Sequence, residues 1–186
     1  MASERKQAIL QTLATMLETP KREKITTASL AAKLQVSEAA LYRHFANKAQ
    51  MFEGLIEFIE ISIFGVINKI STDEQDGNKQ VQLIITMLLK FAEKNPGMTR
   101  VLIGDALVNE DDMLQLRINQ LYDRIEASIK QSLRIAEAAA GIKIDTEAKA
   151  NLIVCHVIGR WQQYAKSGFK RKPLEFNAAQ ISILHL

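Results

Sequence analysis

The segment SEAALYRHFANK, residues 37–48, holds small and polar residues in a pattern that suits contact with DNA. Only Leu41 and Phe45, four residues apart, share an apolar side that can face a core. Ala39 and Ala40 would let the backbone approach a duplex closely, and their methyl groups can meet the methyl group of thymine. A helix this short is not stable alone, so neighbouring elements must hold it.

The same segment carries four side chains that can hold DNA by its backbone or its bases. Tyr42 and His44 can donate hydrogen bonds to phosphates, and Arg43 can pair with a phosphate or with guanine. Lys48 stands in the first turn of the next helix, where its ammonium and the free backbone N–H groups both favour an anion. Such contacts position a protein, whereas contacts to base edges specify the site.

Start signals for two consecutive helices surround this segment. Thr26 is a candidate N-cap for a helix over residues 27–35, and Ser37 is the N-cap of the helix that follows at once. Two short capped helices of this kind predict a helix-turn-helix, whose second helix enters the major groove of DNA. Thr26 and Thr27 begin the first of the two helices and can also lie on a phosphate. The alternative is an ordinary helical corner whose polar residues are solvated.

The chain of 186 residues is predicted to be all-α, with eight or nine helices. Asn47 with Gln50 opens a long helix after the helix-turn-helix, and Asn95-Pro96-Gly97 ends a later one. We predict a helix-turn-helix DNA-binding domain over residues 1–47. Residues 48–186 then form a helical dimerisation and partner-binding domain.

The net charge of +3 is concentrated near the N-terminus. Residues 1–52 hold eight of the 24 basic residues and four of the 21 acidic ones, so their net charge is +4. Residues 53–186 carry a net charge of −1. A basic N-terminal part on a near-neutral body favours a polyanion partner at that end, and the alternative is a solvated basic face.

The inventory of reactive side chains argues against catalysis and against a bound metal or other cofactor. Cys155 and His156 are adjacent in a predicted helix, so their side chains diverge and cannot form a nucleophile–base pair. His44, His156 and His185 are scattered, without the spacing of metal ligands. The acidic run at residues 110–112 lacks the alternating ligands and central glycine of a calcium loop.

Composition and hydropathy bound the cellular location. The sequence has no apolar run near 18 residues, so we expect no membrane-spanning helix and no membrane partner. Its first ten residues lack the apolar core of a secretory signal. The single cysteine excludes an internal disulfide and fits a reducing cytoplasm.

Two long helices of the body are unusually apolar and are candidates for a homodimer interface. A two-fold dimer would place two recognition helices roughly 34–36 Å apart on one face of palindromic double-stranded DNA. The alternative is that the apolar stripes belong to the core of one chain. The candidate interface residues are Leu114, Ile118, Leu121, Ile125, Ile158 and Trp161.

Three aromatic or aliphatic residues lie off the apolar stripe of the long helix that begins near residue 48. Phe58, Ile61 and Phe64 would form either a second packing face or an exposed surface for a partner. Aromatic residues make up only 6% of the chain, and no polar cluster stands out among them. We therefore expect no small-molecule effector in the body.

The predicted DNA-binding domain over residues 1–47, called the head from here on, also resembles a known family. The sequence ITTASLAAKLQVSEAALYRHFANKAQMF is similar to the DNA-binding head of the TetR family, whose signature is Leu-Tyr-x-His-Phe followed by a lysine. The matching residues are Leu41, Tyr42, His44, Phe45 and Lys48. The resemblance implies a homodimer in which the tyrosine, the histidine and the lysine bind the DNA backbone.

A closer resemblance is to the nucleoid-occlusion branch of that family. It rests on VSEAALYRHF, MFEGLIEFIE, FAEKNPGMTRVLIGDAL and RINQLYDRIE and runs from about Ile9 to Glu126, whereas the ending FKRKPLEFNAAQISILHL departs from the usual pattern. The resemblance implies binding to chromosomal palindromes, nucleoid association and antagonism of polymers of the cell-division GTPase FtsZ. By position, Phe58, Lys94 and Asn95 match residues that contact FtsZ in that branch.

Three functions therefore stand open at the level of sequence. The leading hypothesis is a DNA-binding homodimer that blocks septum formation over the chromosome. The alternative within DNA binding is a ligand-responsive transcriptional repressor of the TetR type. From a different class, the body could be chiefly a protein-interaction module that the head anchors.

Overall fold

The structure is a computed structural model that describes residues 2–19, 25–143 and 145–186. Within these residues the chain forms nine α-helices and no β-strand, as the sequence predicts. The helices are α1 Ala2–Leu17, α2 Thr27–Leu34, α3 Glu38–Tyr42, α4 Lys48–Asp73, α5 Gly77–Lys94, α6 Pro96–Leu102, α7 Asp112–Ala140, α8 Thr146–Lys166 and α9 Asn177–Ile183.

Local sequence signals explain most of these boundaries. Pro96 begins α6, where its missing N–H is not needed by the helix. Asp145 caps α8, because its carboxylate accepts a hydrogen bond of 3.0 Å from the backbone N–H of Ala148. The helix predicted to reach Thr19 ends at Leu17. The proline at position 20, which we expected to stop it, lies outside the described residues.

The chain divides into two compact units. The first comprises residues 1–59 and 95–118, and in it α1 packs against α2 and α6. A methyl group on Gly97 would lie 2.0 Å from the carbonyl oxygen of Ala14, so only glycine allows α6 to lie this close to α1. The Arg100 guanidinium bonds the carbonyl of Leu17 at 3.2 Å and the carboxylate of Asp105 at 2.9 Å. These contacts fasten α6 to the end of α1.

The second unit comprises residues 60–94 and 119–186, and in it α5 packs against α8. Its two largest buried side chains both donate hydrogen bonds to carbonyls of α5. The indole N–H of Trp161 reaches Leu88 at 3.1 Å, and the hydroxyl of Tyr164 reaches Glu93 at 3.2 Å. Because each polar tip has an acceptor, the two rings can be buried without leaving an unpaired donor.

Two basic side chains of α8 bind carbonyls of the chain that follows it. The guanidinium of Arg160 donates hydrogen bonds to the carbonyls of Lys172 and Glu175 at 2.8 and 2.9 Å. The ammonium of Lys149 donates to the carbonyl of His185 at 3.0 Å, beyond α9. The tail is thus fixed to α8 at two points.

The predicted division at residue 47 is one of function, and it does not coincide with the boundary of either compact unit. It therefore stays a prediction. No helix in the described ranges is both long enough and apolar enough to cross a membrane.

Candidate nucleic-acid interface

Helix α2 begins in a reciprocal cap at Thr26. The Thr26 hydroxyl accepts from the backbone N–H of Ser29, and the Ser29 hydroxyl accepts from the backbone N–H of Thr26, both at 3.0 Å. The sequence predicts Thr26 as the cap, and the structure confirms it. Since the cap already satisfies the amide of Ser29, fewer N–H groups at this end of α2 remain for a phosphate.

The turn between α2 and α3 depends on a left-handed residue. Gln35 has φ 56° and ψ 42°, and its backbone N–H bonds the carbonyl of Ala32. The chain then reaches Ser37, whose hydroxyl accepts a bond of 3.3 Å from the N–H of Ala40 and so caps α3. The predicted helix-turn-helix is therefore present, with a second helix of only five residues.

Helix α3 is anchored by the two apolar residues that the sequence predicts. Leu41 and Phe45 are 1% and 6% exposed. Around them, Ala39, Tyr42 and Arg43 are exposed, while Ala40 and His44 are half-buried. The face of α3 that carries the predicted base and phosphate contacts is thus open to a partner, while the opposite side holds the helix in place.

Thr27 and Tyr42, two predicted DNA contacts, meet in this interface. The Thr27 hydroxyl donates to the carboxylate of Glu38 at 2.6 Å, and the Tyr42 hydroxyl donates to the Thr27 oxygen at 3.4 Å. The second bond is long and therefore weak. Glu38 thereby orders both hydroxyls along the surface that α2 and α3 share.

Lys48, a predicted phosphate contact, already has an acidic partner within the chain. Its ammonium lies 2.5 Å from the carboxylate of Glu110, in the loop after α6, and 5.5 Å from the centre of the Phe52 ring. Nor are all the amides at the start of α4 free. The side-chain oxygen of Asn47 accepts from the N–H of Gln50 at 2.9 Å, in agreement with the predicted pattern.

A cavity of about 360 Å³ lies beside the end of α3, within the first unit. Three basic side chains line it: Arg5 of α1, Arg43 and His44. Its apolar lining includes Ile9 and Leu41, and none of its lining residues among those that the structure describes is acidic. Sequence reasoning missed Arg5, which lies far from the recognition segment along the chain. The grouping of basic residues suits an anion such as a phosphate.

The predicted dimer residues are mostly core residues. Trp161 and the four candidates of α7 are at most 2% exposed within the single chain, so they have almost no surface to offer a second copy. Of the predicted set only Ile158 is partly exposed. The expectation of an interface built on the others is corrected, because the same chain already covers them. The four α7 residues are Leu114, Ile118, Leu121 and Ile125.

The predicted partner-binding residues all have accessible surface. In the first unit, Phe58 is 45% exposed and Asn95 is half-buried. In the second unit, Lys94 is exposed at the end of α5. Phe64, also in the second unit, packs its ring 3.8 Å from the guanidinium of Arg124, so it serves as a packing residue. Phe58 is therefore not part of a buried core.

The described residues contain no group of three or more histidine, cysteine, aspartate or glutamate side chains placed to hold a metal ion. The free thiol of Cys155 is exposed on α8. The imidazole Nε2 of His156 is buried and has no hydrogen-bond partner in the part of the chain that the structure describes. The two side chains thus lie in different environments, although the residues are adjacent.

Comparison with known proteins gives the relationship of the chain. A model of the TetR family of bacterial regulatory proteins matches residues 23–55, and a model described as a tetracyclin repressor-like, SlmA-like C-terminal domain matches residues 75–185. The second match includes the C-terminal third, which we expected to depart from the family. The family model thus extends over the ending of the chain as far as residue 185.

Individual relatives agree with both models. The chain is 52% identical to the nucleoid occlusion factor SlmA of Alteromonas mediterranea, over 92% of this chain and 89% of that protein. It is 51% identical to the SlmA of Shewanella amazonensis, over 92% and 88% of the two chains. The fold is similar to that of a TetR-family regulator from Agrobacterium tumefaciens, with a TM-score of 0.80 and 14% identity over 100% and 98% of the chains. The helix-turn-helix, the all-helical body and these relationships together show that the chain belongs to the TetR family of DNA-binding regulators, in its SlmA branch.

Proposed function

We propose that this protein is a nucleoid occlusion factor that binds palindromic sites on double-stranded DNA and antagonises FtsZ assembly over the chromosome. The observation that carries the proposal is the open face of α3, with Tyr42 and Arg43 exposed on a helix that Leu41 anchors. A helix presented in this way can enter the major groove. The similarity to the SlmA proteins, at about half of all positions, supports the specific role.

In the proposed complex, base contacts and backbone contacts come from different residues. Ala39 and Ala40 lie at the start of α3, where they can approach base edges. Tyr42, Arg43 and His44 follow at its end and would hold phosphates. Thr26, Thr27 and Ser37 lie at the starts of the two helices and would contact the DNA backbone there. Arg5 is added to this set because it lines the same cavity as Arg43 and His44.

The proposed homodimer needs a surface other than the buried stripes. Helix α8 supplies one in the second unit, where Leu152 is 58% exposed and Cys155 and Gly159 are exposed at the same helical stripe. A methyl group on Gly159 would meet no atom of the described residues within 4 Å, so another helix can approach closely there. Ile158 borders this stripe. We therefore assign the contact with a second copy to the outer side of α8.

The proposed contact with FtsZ involves three residues, two of the first unit and one of the second. Phe58 offers an accessible ring in the first unit, and exposed aromatic residues commonly dominate the energy of protein interfaces. Asn95 follows in the same unit, and Lys94 offers an exposed ammonium in the second. The protein would be held at the nucleoid by its DNA sites and would meet FtsZ there.

Selection of bound sites from a random duplex pool, followed by mapping of the sites on the chromosome, tests the DNA-binding half of the proposal. Many dispersed palindromes are expected, whereas one or two promoter sites would favour a ligand-responsive repressor. Sedimentation of FtsZ filaments with the protein tests the other half. The filaments should decrease when a selected palindrome is added and should be unaffected by a scrambled duplex. An unchanged amount of sedimented FtsZ with either duplex would contradict the proposal.

A further inference from the structure

Lys48 has two competing anionic partners, one inside the protein and one outside it. Inside, the Glu110 carboxylate lies 2.5 Å from its ammonium, and both side chains are mostly shielded, with 21% and 12% of their surfaces exposed. Outside, we place the same ammonium on a DNA phosphate, as the resemblance to the TetR family implies. A shielded ion pair is screened less by salt than a surface pair, so Glu110 holds Lys48 firmly in the absence of DNA.

The two anions cannot both bind Lys48 without repelling each other. An ammonium can donate to both, but a phosphate oxygen at the usual hydrogen-bond distance would stand roughly 4–5 Å from the carboxylate oxygen. Like charges at that distance repel, and the repulsion is strongest where water is partly excluded. Binding of the phosphate therefore weakens the pair between Lys48 and Glu110, because the ammonium then shares its charge between two anions that repel each other.

The position of Glu110 gives this exchange a consequence. The residue lies in the loop between α6 and α7, where its N–H bonds the carbonyl of Leu107 at 2.9 Å. The next residue, Asp111, accepts a bond of 2.9 Å from the N–H of Met113 in the first turn of α7. All of these residues belong to the first unit, together with Lys48. The ion pair thus ties the start of α4 to the loop before α7.

We propose that Glu110 is a positioning residue that restrains DNA binding by holding Lys48, and that DNA frees the loop at residues 103–111 when it takes Lys48 from Glu110. This inference rests on the proposed DNA-binding function. Glu110 itself does not contact DNA. It sets the affinity through Lys48, and it makes the loop before α7 responsive to occupancy of the DNA site.

Glu110→Gln is the test variant, because glutamine keeps the shape and an oxygen acceptor but removes the negative charge. Affinity for a selected palindrome should rise about fivefold, since Lys48 is then released at lower cost. Asp111→Asn is the matched control. It removes the same charge one residue away and keeps the oxygen that accepts from Met113, so it should change affinity by less than about twofold.

A double-mutant cycle separates the inference from the function on which it rests. Lys48→Met should weaken DNA binding, and in that background Glu110→Gln should lose most of its effect. Suppose that Lys48→Met weakens binding, but Glu110→Gln binds DNA no tighter than Asp111→Asn or binds it more weakly. That result would overturn the inference and leave the proposed function intact. If neither Lys48→Met nor Arg43→Ala affects binding, the proposed DNA interface itself fails.

Hydrogen exchange supplies a readout that a merely structural role would not change. In the unsubstituted protein, amides of residues 103–113 should exchange faster when DNA is bound, because the ion pair has opened. In Glu110→Gln they should exchange faster already without DNA, and DNA should add little. Slower exchange in this segment on DNA binding would show that Glu110 keeps Lys48 in the complex, contrary to the proposal.

Discussion

The phenolic oxygen of Tyr42 lies 3.4 Å from the hydroxyl oxygen of Thr27, and that hydroxyl is held at 2.6 Å by Glu38. Two predicted DNA contacts on different helices are thus joined across the turn before α3. Each hydroxyl donates its proton within the protein, so a phosphate must replace the long bond to Thr27 before Tyr42 can donate to it.

This relationship predicts the effect of removing one hydroxyl. Tyr42→Phe should weaken binding to a palindrome about three- to tenfold, because it removes a phosphate contact while the ring stays in place. The head should remain folded, since Tyr42 is 46% exposed and its bond to Thr27 is long. A DNA-binding isotherm and helical circular dichroism measured on the same sample check this. A large loss of helicity would make Tyr42 a structural residue.

The three basic residues around the cavity beside α3 should act through phosphates. Arg43→Ala and Arg5→Ala should each weaken binding to specific and random duplexes alike, because a phosphate contact carries no sequence information. Each should lower the slope of log affinity against log salt by about one unit. Lys33→Ala on α2, exposed but away from the cavity lining, is the control. An unchanged slope in Arg5→Ala would remove that residue from the interface.

An aspartate should have different effects at a buried position and at an exposed position of the proposed dimer surface. Leu121→Asp should unfold the body, because it places a charge at a fully buried position at a cost of several kcal/mol. Leu152→Asp should leave the chain folded and monomeric, because Leu152 is exposed in the single chain.

Light scattering and thermal unfolding of the two variants are the measurements. Ile183→Asp, at another exposed apolar position of the second unit, controls for a general effect of surface charge. A folded Leu152→Asp protein that stays dimeric would place the interface elsewhere than on the outer side of α8.

Phe58 should matter for FtsZ and little for stability. Truncation of a buried phenylalanine costs about 3–5 kcal/mol, but Phe58 is 45% exposed, so Phe58→Ala should cost well below that. DNA binding should be unchanged, and antagonism of FtsZ filaments should fall. Phe52→Ala is the matched buried control on the same helix, and it should lower the unfolding temperature strongly. A stable Phe58→Ala protein with full antagonism would contradict the proposed contact.

The stability of the second unit should depend on pH through His156. Burial lowers the pKa of this imidazole, and the positive charge of Arg160 lowers it further. In the unfolded chain this histidine has its ordinary pKa of about 6.5. The unfolded chain therefore binds more protons at acidic pH than the folded chain does. Folding stability should fall as the pH drops through that value.

Thermal unfolding measured between pH 7.5 and pH 5.5 checks this sign. His156→Gln should flatten the dependence, because glutamine does not titrate. His185→Gln, at an exposed position of the tail, should leave it unchanged. A dependence that persists in His156→Gln would assign it to other groups.

Several elements of the fold follow directly from local sequence. Thr26 and Ser37 are caps because a short hydroxyl side chain can reach an amide three residues ahead, and this geometry needs no distant partner. Leu41 and Phe45 could be predicted as anchors because their spacing puts them on one side of the chain. The all-helical architecture was equally clear from apolar periodicity.

Local sequence could not predict whether the same chain or a second chain covers the long apolar stripes. A stripe of buried residues on α7 has one sequence pattern whether a second chain or the same chain covers it. Only the folded chain shows that Leu121 and Trp161 are covered by residues of the same chain. The off-stripe position of Phe58 was equally ambiguous until its exposure was known.

Sequence alone determined most of the candidates for DNA contact, because helix caps, short-range spacing and residue type act within a few positions. Tertiary structure decided which of them are free to touch DNA. It joined Lys48 to Glu110, 62 residues away, and it grouped Arg5 with Arg43 and His44 around one cavity. Contacts between residues this far apart depend on how the helices pack, and no local pattern encodes which distant side chain will fill or charge a given space.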